Sequence, residues 1–220
     1  MGRTALIVLA VALLVGSAAA FTRTERLKLA ASPVAKPLFE RHLSPTCGCT
    51  HATSTLSLLL RRPERLDVSV VDSDGAHVAT LADAQDSKAG RVSYEWNGRG
   101  DDGQIVPDGL YRLKVRLEHD RRTILIPKTI LVDTTPPHLR ILEAVTTDDG
   151  LAVRYGTNEG VRLHLLLDGK KVAHSAKRTA GIGRITWAPP GIVPTSGLTL
   201  AAVDRSGNRS EPVPVSVATP

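Results

Sequence analysis

The twenty residues from Val92 to Tyr111, VSYEWNGRGDDGQIVPDGLY, constrain this chain more than any other stretch. Tyr94 and Trp96 alternate with polar residues before the turn, and Tyr111, Leu113, Val115 and Leu117 alternate after it. A period of two places those side chains on one face of a half-buried strand. Between the two runs, Asn97-Gly98, Asp102-Gly103 and Asp108-Gly109 are expected to supply left-handed backbone positions and side chains that cap their own backbone. The segment predicts strand, long ordered turn, strand. It names no chemical reaction.

The same alternation recurs along the chain. Thr55–Leu60, Leu66–Val70, His77–Leu81, Val92–Trp96, Tyr111–Leu117, Thr123–Ile126 and Thr129–Val132 read as strands, with Asp72-Ser-Asp74-Gly75 as a tight turn and Pro127 marking an edge or a bulge. Short strands at this spacing predict a β-sandwich. Asp133-Thr-Thr-Pro-Pro137 reads as a stiff spacer, because two prolines cannot donate to a ladder and hold the preceding residue extended. A second set follows: Leu139–Leu142, Leu151–Tyr155, Val161–Leu167, Lys171–His174, Gly183–Trp187, Leu198–Val203 and Val213–Val217. Each half holds one tryptophan, Trp96 or Trp187, expected as a core anchor. The expected fold is all-β: two tandem Ig- or fibronectin-III-like sandwiches, residues 52–133 and 134–220. A polar connector, residues 22–51, precedes them, with a short basic helix possible from Thr24 to Ala35.

Before the connector lies a basic head, an apolar run from Ala5 to Val15 and a small-residue stretch ending at Ala20. This is the pattern of a secretory signal cleaved after Ala18-Ala19-Ala20. The rival reading is a retained anchor over residues 5–21, which sits at the lower limit of the roughly 17–25 residues that span a bilayer. Both readings place residues 22–220 outside the cytoplasm. The 220-residue chain carries a formal charge of +6. That balance suits either a solvated surface or attraction to anionic envelope polymers. Nucleic acid is not an expected partner, since aromatic residues for base stacking are only 3% of the chain.

The run from Val68 to Leu81, with its Asp72…Gly75 turn, then Tyr94-Glu-Trp96-Asn-Gly-Arg99…Asp102-Gly103…Val106-Pro-Asp-Gly109-Leu-Tyr111, resembles the FlgD-type Ig-like domain of bacterial secreted proteins. The chain departs from that pattern at Asn97, where the family usually has Asp, and at Gly100, where a second acidic residue is common. The second half is similar to bacterial Ig-like repeats, with Asp133–Pro137 as the joint and Ala202-Val-Asp204-Arg-Ser-Gly207-Asn208 as the late strand and turn. The resemblance implies that Trp96, Asn97, Gly98, Asp102, Gly103, Pro107, Gly109 and Tyr111 form a structural turn, and that Asp204 and Asn208 tie a later one. It implies spacer, adhesion or assembly roles with no catalytic residues. The flagellar role does not carry over, because the hook-capping protein's scaffold-binding region has no counterpart here. The expected function is a non-enzymatic envelope module whose partner is a protein or envelope polymer. The alternative is an adhesin or polymer-binding protein using an Arg-rich surface.

Cys47-Gly48-Cys49, with His51 two residues on, is the most chemical-looking cluster. A disulfide suits an exported chain, either within the loop, where Gly48 would allow the bend that pairing residues two apart requires, or between two chains. Free thiols and a metal site remain open, though C-x-C falls short of the usual metal-ligand spacing. Asp72-Ser-Asp74 and Asp101-Asp102 lack the further spaced ligands of a calcium loop, so no metal ligand and no cofactor is assigned. Arg99-Gly100-Asp101 spells an adhesion tripeptide but lies inside the turn motif. Asn208-Arg-Ser210 matches a glycosylation acceptor, idle in the bacterial setting that the resemblance implies. Ser206 lacks a nucleophile elbow, and no H-E-x-x-H or phosphate loop accompanies the seven histidines. No catalytic residue is assigned.

Overall fold

The structure is a computed structural model that describes residues 2, 8, 11–18, 32–175 and 179–218. Residues 11–18 are helical. Among the described residues no helix is long and apolar enough to cross a membrane. The cleavage site at Ala20, most of the 5–21 anchor and the basic helix from Thr24 lie outside the described residues, apart from the helix's last few positions.

Those last positions correct the connector reading. Val34–Leu38 is a strand, β1, and pairs antiparallel with β3, Ser54–Leu60. His42–Leu43, β2, runs parallel to the end of β8, Arg122–Val132. The sequence hid both because Lys36, Pro37 and the short length of β2 break the alternation that marks a strand. Val34 and Leu43 are buried in the first core.

The first sandwich closes with β4 (Glu64–Val71), β5 (His77–Ser87), β6 (Gly90–Trp96) and β7 (Gly109–Leu117). One sheet has the order β1-β3-β6 and the other β2-β8-β7-β4-β5. β4 and β7 sit inside the larger sheet, and their alternate residues Leu66, Val68, Val70, Leu113, Val115 and Leu117 are fully buried. Burying each such side chain contributes on the order of 1.5–3 kcal/mol. The two short strands expected around Pro127 are one strand. Its register against β7 shifts between the Arg112–Thr129 and Lys114–Leu125 pairs, which absorbs the proline as a bulge.

The second sandwich holds β9 (Leu139–Thr147), β10 (Gly150–Leu167), β11 (Lys170–His174), β12 (Thr179–Trp187), β13 (Leu198–Val203) and β14 (Val213–Pro214). Its two central expected strands merge into the 18-residue β10. The first part of β10 pairs with β9 and β12, and the last part with β11 and β13. One strand thus serves both layers, bending near Asn158–Gly160 where the register with β12 shifts. Tyr155, Val161, Leu163, Leu165 and Leu200 form the buried centre, with Trp187 half-buried against it.

Candidate functional site

The signature turn is built by its own side chains. Asn97 Oδ1 accepts from the Arg99 amide at 3.2 Å, and Asp102 Oδ1 from the Gln104 amide at 2.9 Å. The amide of Gly103 donates to the Gly100 carbonyl at 2.9 Å. Trp96, from one sheet, and Tyr111, from the other, meet edge to face with ring centroids 5.3 Å apart. Trp96 Nε1 donates to the Arg99 carbonyl at 2.9 Å, and the Tyr111 hydroxyl donates to the Pro107 carbonyl at 2.7 Å. Two aromatic anchors therefore lock both ends of the turn while filling the core between the layers. Gly109 departs from expectation. Its φ is not positive, and it simply opens β7 opposite Val132.

The Arg-Gly-Asp tripeptide is engaged in the fold at both ends. Arg99 Nη1 donates to the Gly103 carbonyl at 2.8 Å. Asp101 accepts from the Thr80 amide at 2.7 Å and pairs with His77 Nε2 at 2.7 Å, which ties the turn to β5.

Beyond the turn, the same residues build a joint between the sandwiches. Asp108 Oδ1 accepts from the Thr134 amide and hydroxyl, both at 2.9 Å, and its Oδ2 accepts from the Thr135 hydroxyl at 2.9 Å. The motif's last acidic residue thereby holds the Asp133–Pro137 spacer. Gly98, at φ +72°, faces residues of the former connector. A Cβ there would stand 2.4 Å from Pro45 Cγ, a distance no side chain tolerates. The Ser44 amide donates to the His51 carbonyl at 2.9 Å, closing residues 44–51 into a loop that contains both cysteines.

Cys47 and Cys49 are joined by a disulfide, with Cα atoms 5.2 Å apart and Gly48 at φ +59° making the bend. Closing so short a loop restrains the unfolded chain by only about 1.6 kcal/mol on a loop-entropy estimate. The placement of the sulfurs matters more. Gly207 of the second sandwich, at φ +92°, lies against them: a Cβ there would stand 2.3 Å from Cys49 Sγ and 3.4 Å from Cys47 Sγ. The 44–51 loop is thus a wedge, with Pro45 seated on Gly98 of one unit and Cys49 on Gly207 of the other.

A buried polar network runs beneath the wedge. Ser44, Asp204, Ser206 and Asn208 are each at most 3% exposed. The Ser44 hydroxyl donates to Asn208 Oδ1 at 2.5 Å, and Asn208 Nδ2 donates to the Asp133 carbonyl at 2.8 Å and to Asp204 Oδ2 at 2.7 Å. The Asn208 amide donates to Asp204 Oδ1 at 2.9 Å. Asn208 consequently bonds to the wedge, the spacer and its own turn together. Buried polar groups of this kind fix a unique geometry when every member is satisfied.

Asp133, Glu159 and Asp204 each bring a carboxylate oxygen to this joint, all within 4.8 Å of one another. Burial pushes the Asp133 carboxyl up, as do Asp204 and Asp108, against the Thr135 amide and the Ser206 hydroxyl. Burial likewise raises Glu159, helped by Asp204 and Asp133. Burial pushes the neighbouring His42 imidazole down, with Arg205, Arg41 and His51 acting the same way and Asp204 opposing them. An oxygen set of this kind could hold a hard divalent cation. It could equally share protons. No spacing along the chain marks the cluster, because its members come from the spacer, the bend of β10 and the turn after β13.

Residues 50–120 match the family model of the FlgD Ig-like domain. No curated protein matches the chain. Among solved structures, FlgD from P. aeruginosa is similar at 22% identity over 56% of this chain and 87% of that one, with a TM-score of 0.33. The BSP domain of a biofilm-associated protein shares 14% identity over 86% of this chain and 30% of its own, with a TM-score of 0.30. A Salmonella enterica SafA pilin in complex with the SafB chaperone shares 14% over 84% and 98%, with a TM-score of 0.27.

Proposed function

We propose that this chain, whose residues 50–120 are a FlgD Ig-like domain, is a non-enzymatic exported module of the bacterial envelope. Its two sandwiches act as one stiff spacer that presents surfaces for assembly. The observation that supports this reading is the joint. A linker meant only to tether would be polar, exposed and free to bend. Here Asp133 is held from both sides, through its carbonyl by Asn208 and through its amide by the Leu43 carbonyl at 3.0 Å. Export is supported by the apolar N-terminal run followed by small residues. The domain boundaries we adopt are residues 32–133 for the first unit and 134–218 for the second.

Small-angle scattering from the secreted chain tests the spacer reading. One elongated particle with a single inter-unit distance is expected. A profile that requires a broad ensemble of inter-unit angles would sink it.

A second reading, attachment to an anionic envelope polymer, draws on β7. Lys114 and Arg116 are exposed at alternate positions on its open face, one strand repeat apart. Arg116 leans toward Asp67 at 3.6 Å and Arg112 donates to the Ser73 carbonyl at 3.0 Å, which leaves Lys114 as the most available charge. Retention on cell-wall material across a salt series checks it. Binding that does not weaken with salt would remove the polyanion reading.

A further inference from the structure

We propose that the Cys47–Cys49 disulfide is a site of thiol–disulfide exchange with an extracytoplasmic dithiol, and that its reduction loosens the joint between the two sandwiches. The spacer reading supplies only the location of the dithiol and the meaning of a loosened joint; the exchange chemistry rests on the loop itself.

The bond encloses three residues, so it does little to restrain the unfolded chain and is poorly suited to be a fold staple. Its setting suits exchange. Cys49 is exposed and Cys47 half-buried. The Cys49 amide donates to Cys47 Sγ at 3.2 Å, a donor that stabilises negative charge arriving on that sulfur. One thiolate of the dithiol attacks Cys49 Sγ. A new S–S bond forms there, and the electron pair of the old bond leaves on Cys47. The dithiol's second thiolate then attacks its own sulfur in the mixed disulfide and releases Cys49. The two protons given up by the dithiol end on Cys47 and Cys49. The protein gains two thiols and the partner is oxidised to a disulfide.

The coupling to the joint is steric. In the disulfide the sulfurs are about 2 Å apart. As separate thiols they must move to non-bonded contact, above about 3.5 Å. Gly207 leaves no slack on that side, since even a Cβ would collide with Cys49 Sγ, and His51 Cδ2 lies 3.3 Å from the same point. Either the wedge shifts, and with it Ser44, which begins the same closed loop and bonds Asn208, or Cys49 swings into solvent and gives up its seat on Gly207.

The full secreted chain is treated with graded dithiothreitol under native conditions. Thiol alkylation is read by intact mass, and hydrogen exchange is followed at the Asn208 and Ser210 amides. We expect both cysteines to alkylate in the folded protein, with exchange at those two amides at least tenfold faster while β4 and β7 keep their protection. A Cys47→Ser/Cys49→Ser variant should show the same fast amides without reductant. A disulfide that yields only when the chain unfolds would overturn the proposal, as would reduction that leaves the two amides protected. Inter-unit flexibility already present in the oxidised protein would count against the spacer reading instead, since the alkylation readout does not depend on it.

Discussion

Ser44 and Asn208 stand 164 residues apart in the chain and share a buried hydrogen bond of 2.5 Å. The bond joins a segment that precedes the first sandwich's main strands to the last turn of the second. Each partner is fixed independently, Ser44 by the His51 carbonyl through its amide and Asn208 by Asp204 and Asp133. The contact therefore closes a ring of elements rather than decorating a surface.

Ser44→Ala removes the donor and leaves Asn208 Oδ1 buried without it. A buried acceptor left without its partner costs about 1–3 kcal/mol. The loss should appear in urea unfolding as a lower midpoint for the second unit, and as earlier separation of the two units' transitions. An unchanged midpoint would mean that water replaces the hydroxyl and the joint is looser than described.

Gly207→Ala should be worse for two separable reasons. The positive φ costs on the order of 1–3 kcal/mol for a residue with a Cβ, and the new methyl would overlap Cys49 Sγ. The overlap vanishes when residue 49 is also alanine, while the backbone penalty stays. A double-mutant cycle of Gly207→Ala with the paired change Cys47→Ala/Cys49→Ala, which keeps the disulfide in the arm that carries the overlap, should give a coupling within about 0.5–3 kcal/mol. Additive effects would show that the sulfur does not bear on Gly207.

Tyr111→Phe keeps the edge-to-face contact with Trp96 but leaves the Pro107 carbonyl without its donor. The expected loss is about 1 kcal/mol, the usual net worth of such a bond. Thermal unfolding of the first unit reads it. Tyr111→Ala, which also empties core volume, should cost several-fold more.

Much of this was legible in the residues. Alternation in Leu66–Val70 and Tyr111–Leu117 reports burial on one face, so strands with a clear inside and outside announced themselves. The Trp96–Tyr111 turn was legible because Gly, Asp and Asn act locally, on backbone within a few residues. The joint was not legible, because its parts are local nowhere: Pro45 meets Gly98, Cys49 meets Gly207 and Asp133 meets Glu159 only after both sandwiches form. β1 is hidden for a different reason. Val34 is its only buried residue, and Lys36 takes a φ of +45° that no propensity rule favours.

Glu159→Gln should strengthen the joint at neutral pH in chelator-treated protein. The folded-state pKa values of Asp133 and Glu159 are raised, chiefly by burial and then by Asp204, with Asp108 adding to the rise at Asp133 and Asp133 to that at Glu159. Groups raised in this way contribute stability that is full below the ordinary carboxylate range, near 4. That stability is lost as pH climbs through the higher folded values. The wild type should therefore melt at a lower temperature at pH 7 than its behaviour just above pH 4 implies. Glu159→Gln should recover part of the difference at pH 7 and none near pH 4. Equal melting temperatures for the two proteins at pH 7 would show that the three carboxylates do not strain the joint.

Asp101→Asn tests the opposite sign within the first sandwich. The hydrogen bond with His77, followed by that from the Thr80 amide, holds the Asp101 carboxyl below its ordinary range. A depressed carboxylate contributes stability that is present above the unfolded value and disappears as pH falls through the folded one. The asparagine variant keeps the shape of the contact but has no charge to lose. Its urea midpoint should lie below wild type at pH 7, and the gap should close below about pH 4. The same substitution separates structure from adhesion. Because both ends of Arg99-Gly100-Asp101 are spent on Gly103, Thr80 and His77, an Arg-Gly-Asp peptide should not compete with the folded protein for any surface it binds. Competition would require the turn to open, and an open turn would release the Asp101 carboxyl to its ordinary range and erase the pH-dependent gap. The two measurements therefore stand or fall together, and a protein that showed both competition and the gap would contradict the arrangement at this turn.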